Sequence, residues 1–252
     1  MTLQINIKSK IYPSRTPGDH HQALENINLS IPLSQFVCLV GPSGCGKTTL
    51  LNILSGLDKE ISGDVKTGKH ENQENMNIGY VFQEPRLMPW LNVIDNIRLV
   101  MTEKEIVSGS AEKLLADMSL GDVAEAFPNR LSGGMQRRVA LARAFVKKPK
   151  LLLMDEPFVS LDQPVAERLR HVLLSLWNEN PATIFFVTHD IREAIFLSDR
   201  ILFMSPSPGT IVKDFKNPLR RPRAKLNTDD IEKIKQELLS KYPDLLTGLV
   251  KS

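Results

Sequence analysis

Short runs of consecutive apolar residues alternate along this chain with segments whose apolar residues recur every three or four positions. The runs are too short for helices and are typical of strands, several of them buried in a parallel sheet. The predicted strands span residues 4–8, 27–31, 35–40, 76–83, 150–155 and 182–188. The spacing is helical at 47–57 and again across 93–120. Strands that alternate with helices predict an α/β fold with a parallel sheet and right-handed crossovers.

The C-terminal part has a different pattern. Residues 218–225 are rich in proline and arginine and indicate a linker, whose basic side chains we expect to be solvated rather than to bind nucleic acid. These side chains are Arg220, Arg221, Arg223 and Lys225. An apolar stripe then predicts a helix that begins at Asn227 or Thr228. We therefore expect a main domain over residues 1–226 and a helical tail over 227–252.

The composition is that of an ordinary globular protein, with 42% hydrophobic and 24% charged residues among 252. No apolar run approaches the roughly 20 residues that a membrane helix needs, and the first ten residues lack the features of a signal peptide. The two cysteines, Cys38 and Cys45, are too few and too close for a disulfide framework. These features together predict a protein of the reducing cytoplasm.

The segment 41–48 has the spacing G-x-x-x-x-G-K-[ST] between a predicted strand and a predicted helix. Its glycines let the main chain curl around a phosphate, and the helix N-terminus adds partial positive charge. We expect Lys47 to reach the β- and γ-phosphates and the Thr48 hydroxyl to bind Mg²⁺. The residues that we expect to contact the nucleotide here are Gly41, Pro42, Ser43, Gly44, Cys45, Gly46, Lys47, Thr48 and Thr49.

Two carboxylates, Asp155 and Glu156, directly follow the apolar run that ends at Met154. Ligands of open α/β sheets bind at the carboxyl ends of strands, which is where this pair is predicted to lie. We expect Asp155 to hold Mg²⁺, mainly through its water shell, and Glu156 to polarise the water that attacks the γ-phosphate. Together with the glycine-rich loop, the pair predicts hydrolysis of a nucleoside triphosphate.

A second turn suited to anions lies at Ser132, Gly133 and Gly134, at the start of another predicted helix. The sequence around it, LSGGMQRRVALARA, resembles the signature motif of the nucleotide-binding subunit of ATP-binding cassette (ABC) transporters. In that family the turn closes on the γ-phosphate bound by the opposite subunit. The resemblance therefore implies a dimer of ATPase subunits, which are either identical or paralogous.

The resemblance covers about residues 3–215 and implies a P-loop NTPase fold. That fold has a RecA-like core with a parallel sheet, a small antiparallel β subdomain and a helical subdomain inserted at about 86–137. Four further positions match family motifs. Gln83 resembles the Q-loop glutamine that contacts Mg²⁺ and water, and His189 resembles the switch histidine. The segment 159–162, which ends at Asp162, resembles the D-loop, and Tyr12 resembles the aromatic residue that stacks on adenine.

The segment 84–93 resembles the branch of the family that takes up nitrate, sulfonates, taurine or bicarbonate. The resemblance implies that membrane permease subunits dock near Arg86–Leu91. The chain after Gln83 is mostly apolar there and is stiffened by Pro85 and Pro89. The resemblance also implies an indirect partner, a solute-binding protein. We thus expect a peripheral subunit at the cytoplasmic face of the membrane that binds ATP and Mg²⁺ and drives import.

Two other functions stay open at this point. A soluble cassette ATPase of the iron–sulfur assembly type has similar motifs, and membrane association would distinguish it from a transporter subunit. A P-loop kinase would have no use for the LSGGMQ segment, and phosphate release without an acceptor would exclude it. A separate expectation concerns Cys45, whose place beside Lys47 at a helix N-terminus predicts a lowered pKa and high reactivity. Cys38, inside a predicted strand, is expected to be inert.

Overall fold

The computed structural model of the chain describes residues 2–13, 20–67, 71–72, 76–159, 161–221, 223 and 228–249. The strands are β1 (Thr2–Pro13), β2 (His20–Pro32), β3 (Phe36–Val40), β4 (Ser62–Thr67), β5 (Glu71–Asn72), β6 (Ile78–Val81), β7 (Leu151–Asp155), β8 (Thr183–Val187), β9 (Arg200–Met204) and β10 (Ile211–Lys216). The helices are α1 (Lys47–Ser55), α2 (Val93–Arg98), α3 (Glu103–Val107), α4 (Ser110–Asp117), α5 (Gly133–Phe145), α6 (Gln163–Glu179), α7 (Ile191–Leu197) and α8 (Thr228–Lys241). Within this described part, none of the helices is both long and apolar enough to cross a membrane.

The chain divides into two compact units, one formed by residues 1–76 with 183–252 and the other by residues 77–182. The first unit contains an antiparallel sheet of strand order β2-β1-β4-β5. In β1 the residues Leu3, Ile5 and Ile7 are buried while their neighbours are not, as expected for a sheet with one covered face. This alternation is why the sequence pattern predicted strands in this region.

The first unit also contains a mixed sheet in which β3 lies between β8 and β9, parallel to both, and β10 pairs with β9 antiparallel. Every residue of β3 and β8 is buried. A strand buried on both faces needs apolar residues at consecutive positions, which is the pattern of the two runs. The prediction of buried parallel strands is confirmed for both.

In the second unit, β6 pairs in parallel with β7, with Ile78 opposite Leu151. The helical periodicity across 93–120 is divided among α2, α3 and α4. Thr102 caps α3 through a capping box with Glu105, and Gly109 precedes α4 with a φ of 69°. These two local signals end one helix and start the next, although the apolar spacing continues through them.

The predicted tail helix corresponds to α8, which packs on α7 within the first unit. Arg192 Nε donates a hydrogen bond of 2.8 Å to Glu232 Oε2, and Leu238 of α8 is buried, as is Leu245 beyond it. The predicted cap at Asn227 lies outside the described residues. The tail is therefore part of the first unit, and the division at residue 226 stays a prediction about domains.

The expectation that the basic segment is a solvated loop is wrong for two of its residues. Arg223 is buried and donates to the carbonyl oxygens of Ile195, Phe196 and Ser198 at the end of α7. Arg221 donates to the Leu197 carbonyl at 2.7 Å and pairs with Asp199 at 2.8 Å. Both guanidinium groups satisfy carbonyls that a helix C-terminus leaves without partners. Arg220 is exposed, and Lys225 lies outside the described residues.

Candidate nucleotide-binding site

The predicted phosphate loop joins β3 to α1. Lys47 is the first residue of α1 and is only 7% exposed. Its Nζ donates hydrogen bonds of 2.9 Å to the carbonyl oxygens of Gly41 and Pro42. The ammonium charge is thus fixed against the main chain of the loop that the sequence predicts to curl around phosphates.

The start of α1 has the features of an anion site. Gly46 occupies the N-cap with a φ of 97°, and a Cβ atom there would lie 2.8 Å from the Ala23 carbonyl oxygen. Only glycine fits this position without strain. Among the residues that the structure describes, no side chain caps this helix, so its first amides can bind a phosphate. The other predicted contacts lie at the surface or half-buried, namely Ser43, Gly44, Thr48 and Thr49.

The lowered pKa predicted for Cys45 is wrong. Its side chain is 1% exposed, and burial raises the pKa of its thiol, an effect that the charge of Lys47 opposes without reversing. The Lys47 Nζ lies 3.8 Å from the Cys45 Sγ. Removal of water from the thiol outweighs both the helix terminus and the lysine. Cys38 is buried within β3, where burial raises the pKa of its thiol as well, in line with the inertness predicted for it.

Tyr12 lies near the end of β1, where a buried ion pair holds its ring. The Tyr12 hydroxyl donates to Asp58 Oδ2 at 2.7 Å, and Lys10 Nζ donates to Asp58 Oδ1 at 2.7 Å. Lys10 Nζ also lies 4.5 Å from the centroid of the Tyr12 ring. Burial and the Asp58 hydrogen bond raise the pKa of Tyr12, so its phenol is neutral near pH 7. The ring orientation is fixed, and the stacking of adenine on it stays a prediction.

The two predicted carboxylates lie at the end of β7. Asp155 is the last residue of the strand and is buried. Glu156 follows with a φ of 42°, a left-handed conformation that non-glycine residues rarely adopt and that is concentrated at functional sites. Burial raises the pKa of Tyr80 on β6, and the Asp155 carboxylate contributes a smaller increase. The second unit therefore places two carboxyl groups at one strand end, the second of them on a residue with a strained main chain.

The predicted signature turn begins α5. Ser132 is the N-cap, and its Oγ accepts a hydrogen bond of 3.3 Å from the Met135 amide. A Cβ atom at Gly133 would meet nothing within 4 Å, whereas one at Gly134 would lie 2.8 Å from Val165 Cγ1. A cavity of about 370 Å³ opens beside this turn. Its lining includes Ser132, Gly133, Gly134, Leu161 and Asp162. The signature turn and the D-loop thus share one cavity, although Ser160 of the predicted D-loop lies outside the described residues.

Gln83 is exposed and follows β6. Arg137, on α5, donates hydrogen bonds of 2.8 Å to the carbonyl oxygens of Gln83, Pro157 and Val159. The sequence contains no signal for these contacts, because the acceptors are main-chain atoms of distant segments. The sequence shows that an arginine directly follows the signature motif, but it does not show which carbonyl oxygens this arginine contacts.

The segment predicted to dock a partner has a fixed main chain and an exposed tryptophan. Arg143 donates to the carbonyl oxygens of Pro85 and Arg86 at 2.9 and 3.0 Å. Asn96 is fully buried and bonds to the main chain at Met88 through both its amide oxygen and its amide nitrogen. Trp90 is nevertheless 70% exposed. The segment is therefore held from within while it presents an apolar side chain to solvent.

His189, which resembles the switch histidine, is exposed and lies between β8 and α7. The preceding Thr188 is buried, and its hydroxyl donates to Glu193 Oε2 at 2.6 Å. The same hydroxyl oxygen accepts a hydrogen bond of 3.0 Å from the Asp190 amide. These bonds fix the main chain on both sides of the histidine, within the first unit.

The profile of the family described as ABC transporter matches residues 24–159. The aliphatic sulfonates import ATP-binding protein of Bacillus cereus is 41% identical over 244 residues, which cover 96% of each chain. The chain belongs to the ABC transporter family. An uncharacterised ABC transporter ATP-binding protein of Methanocaldococcus jannaschii is 40% identical over 98% of this chain and 94% of its own.

Solved structures agree with this assignment. A dimeric ATP-binding cassette in a post-hydrolysis state, bound to ADP and phosphate, is 32% identical to this ABC ATPase and has a TM-score of 0.73. The match covers 87% of the present chain and 100% of the solved structure's chain. The predicted α/β P-loop NTPase fold and the predicted ATPase activity are confirmed at the level of the family. The relatives do not favour the alternative of a soluble iron–sulfur assembly ATPase.

Proposed function

We propose that this ABC ATPase energises the import of a small organic sulfonate or a related anion through a membrane permease. The observation that carries the proposal is its likeness, over 96% of the chain, to ATP-binding proteins named for aliphatic sulfonate import in Bacillus cereus and Bacillus subtilis. Those proteins match it from end to end at 41% and 40% identity. The solute itself would be recognised by the permease and by a solute-binding protein.

In this proposal the chain acts by in-line attack of water on the γ-phosphate of ATP. Lys47 and the uncapped amides at the start of α1 bind and orient the phosphates. Glu156 polarises the attacking water, and His189 contacts the γ-phosphate, as the family motifs imply. Tyr12 supplies the face on which adenine stacks. Catalysis therefore depends on orienting the reacting groups and stabilising the charge of the transition state, without a covalent intermediate.

The donor set fits Mg²⁺. Thr48, Gln83 and Asp155 offer a hydroxyl, an amide and a carboxylate oxygen, the hard donors that Mg²⁺ prefers. Among the described residues, no group of three or more His, Cys, Asp or Glu side chains could hold a metal. Mg²⁺ usually keeps several of its waters and is bound through one or two carboxylates together with substrate phosphates. When bound, Mg²⁺ would neutralise charge on the phosphates.

We also propose that the permease docks on the segment Arg86–Leu91. A groove of about 410 Å³ lies beside this segment, and the guanidinium group of Arg86 stacks on the Phe82 ring at 4.1 Å. The groove is lined in part by Tyr80, Phe82, Arg86, Met88, Leu99 and Val100. Leu99 and Val100 are exposed, so an apolar element of the permease would cover them. This interaction would hold the subunit at the cytoplasmic face of the membrane.

Reconstitution into proteoliposomes tests this function. The chain is combined with the permease and the solute-binding protein that co-purify with it from membranes. Uptake of labelled ethanesulfonate, taurine, nitrate and bicarbonate is then measured with ATP inside or outside. We expect uptake of a sulfonate only when ATP is on the side of this chain. A chain that hydrolyses ATP yet neither binds the membrane nor supports uptake of any of the four would contradict the import proposal.

A further inference from the structure

Arg137 connects three segments of the second unit through one guanidinium group. Its Nη1 donates to the carbonyl oxygens of Gln83 and Pro157, and its Nη2 donates to that of Val159, each at 2.8 Å. Gln83 lies three residues before the segment Arg86–Leu91, to which permease docking is assigned above. Pro157 and Val159 belong to the turn that directly follows Glu156. The arginine itself lies in the first two turns of α5, just after the signature turn.

The chemistry of this contact is that of a rigid brace. In the described part of the chain, the hydrogen-bond acceptors of Arg137 are all main-chain carbonyls. A guanidinium group is planar and presents its donors in a fixed fork, so it can hold three carbonyls in one relative geometry. Charge-assisted hydrogen bonds of this kind are stronger than neutral ones. A lysine could not reproduce the fork, and a glutamine could reach only part of it.

The position of the brace bears on Glu156 in particular. Glu156 has a φ of 42°, and such conformations persist only where the surroundings hold them. The Val159 amide donates to the Glu156 carbonyl at 3.2 Å, and Arg137 binds the carbonyls of Pro157 and Val159 within that short turn. The brace therefore limits how far the main chain next to Glu156 can move independently of Gln83.

The neighbouring arginines of α5 make different contacts. Arg138 donates to the carbonyl oxygen of Met118 at 2.9 Å and to that of Ser119 at 3.5 Å. Arg143 donates to Pro85 and Arg86 of the docking segment. Of these three residues, Arg137 joins Gln83, just before the docking segment, to the turn after the carboxylate pair. Arg138 and Arg143 each contact one neighbouring stretch of main chain, whereas Arg137 contacts two stretches that are far apart in the sequence.

We propose that Arg137 is a positioning residue that couples the docking segment to Glu156, so that a displacement of Gln83 is transmitted to the turn that carries the catalytic carboxylate. The inference rests on the proposed function, in which Glu156 polarises the attacking water and the permease docks beside Gln83. Loss of the brace leaves nucleotide contacts in place and lowers the fraction of bound ATP that is correctly aligned for attack. It affects kcat rather than KM.

The test compares Arg137→Gln, Arg137→Lys and the control Arg223→Gln in the purified full-length chain. Arg223 is buried and also donates to main-chain carbonyls, but these lie at the end of α7, outside the candidate site. Phosphate release gives kcat and KM for ATP, a fluorescent ATP analogue gives Kd, and thermal unfolding gives Tm. We expect Arg137→Gln to lower kcat by roughly tenfold, since small misplacements of reacting groups have effects of this order, while KM and Kd change less than about twofold. Arg137→Lys should recover part of kcat. Arg223→Gln should lower Tm by a similar amount and keep kcat within about twofold.

A second measurement uses the complex with the permease in proteoliposomes. The ratio of ATPase rates with and without the permease should fall towards one in Arg137→Gln, and it should stay at the wild-type value in Arg223→Gln. Equal kcat in the wild type and Arg137→Gln, with equal stimulation, would overturn the inference and leave the proposed function intact. A loss of kcat that follows Tm equally in both variants would also overturn it. A wild-type chain that releases no phosphate would refute the proposed function itself.

Discussion

The hydroxyl of Tyr12 donates a 2.7 Å hydrogen bond to Oδ2 of Asp58. The other carboxylate oxygen of Asp58 binds Lys10, which is 2% exposed and also donates to the Glu60 carbonyl. Asp58 therefore has two tasks: it balances a buried cation, and it fixes the ring on which we expect adenine to stack. These two tasks give separate predictions.

Asp58→Asn should destabilise the chain in a way that depends on pH. Removal of one partner from a buried ion pair costs about 3 kcal/mol or more at pH 7. Burial acts to raise the pKa of Asp58, but its bonds to Lys10 and Tyr12 lower it below the ordinary value of 3.8. A lowered folded-state pKa means stability that is present above pH 3.8 and is lost as the pH falls through the lowered value. The difference between wild type and variant should therefore shrink below about pH 4.

Urea unfolding between pH 7 and pH 2.5 measures this difference. Asp64→Asn is the control. In the described part of the chain, Asp64 is exposed, pairs with the exposed Lys66 and accepts a hydrogen bond from Asn6. We expect little change from the control at any pH. A difference between wild type and Asp58→Asn that is the same at pH 7 and pH 3 would show that the carboxylate charge does not stabilise the fold.

Two substitutions of Tyr12 separate its ring from its hydroxyl. Tyr12→Ala should weaken ATP binding by roughly 1–3 kcal/mol, the size of the stacking of one base on an aromatic ring, which raises Kd about 5- to 150-fold. Tyr12→Phe keeps the ring and loses the bond to Asp58, so its Kd should rise less than about threefold. Titration with a fluorescent ATP analogue gives both values. Equal weakening by the two substitutions would refute adenine stacking on this ring.

Neither cysteine should react readily in the folded chain. Cys38 and Cys45 are both buried, and burial raises the pKa of each thiol. Reaction with a maleimide at pH 7 should therefore leave ATPase activity unchanged over minutes, and both residues should be labelled after unfolding in urea. Rapid labelling of Cys45 in the folded chain, with loss of activity that ATP prevents, would show that the loop opens enough to expose the thiol.

Trp90→Ala should weaken assembly with the permease without destabilising the subunit. Trp90 is 70% exposed, and substitutions at exposed positions usually change stability by less than about 0.5 kcal/mol. Trp177→Ala is the matched control, because that indole is buried and its Nε1 donates to the Ala182 carbonyl at 2.7 Å. We expect a small shift in Tm with reduced co-purification for Trp90→Ala, and a large fall in Tm for Trp177→Ala. Unchanged co-purification with Trp90→Ala would exclude Trp90 as a docking contact.

The sequence predicted best those features that depend on neighbouring residues. The buried strands β3 and β8 and the uncapped start of α1 follow from local runs of apolar residues and glycines. Hydrogen bonds from a side chain to main-chain carbonyls of distant segments leave no pattern in the sequence. For this reason the sequence did not predict the contacts of Arg137, and it favoured a solvated side chain at Arg223. The lowered pKa predicted for Cys45 is wrong for a related reason. The nearby charge of Lys47 can be deduced from the sequence, but the burial of the thiol depends on how the loop packs.

Phosphate release by the purified wild-type chain and by Glu156→Gln tests the central claim most directly. Gln keeps the size of the side chain and removes the carboxylate that polarises water, so nucleotide should still bind. We expect turnover to fall by at least about 100-fold, and we expect size-exclusion chromatography to show a dimer of the variant that forms only with ATP. A Glu156→Gln variant with wild-type turnover would contradict the assignment of Glu156 and the hydrolytic mechanism built on it.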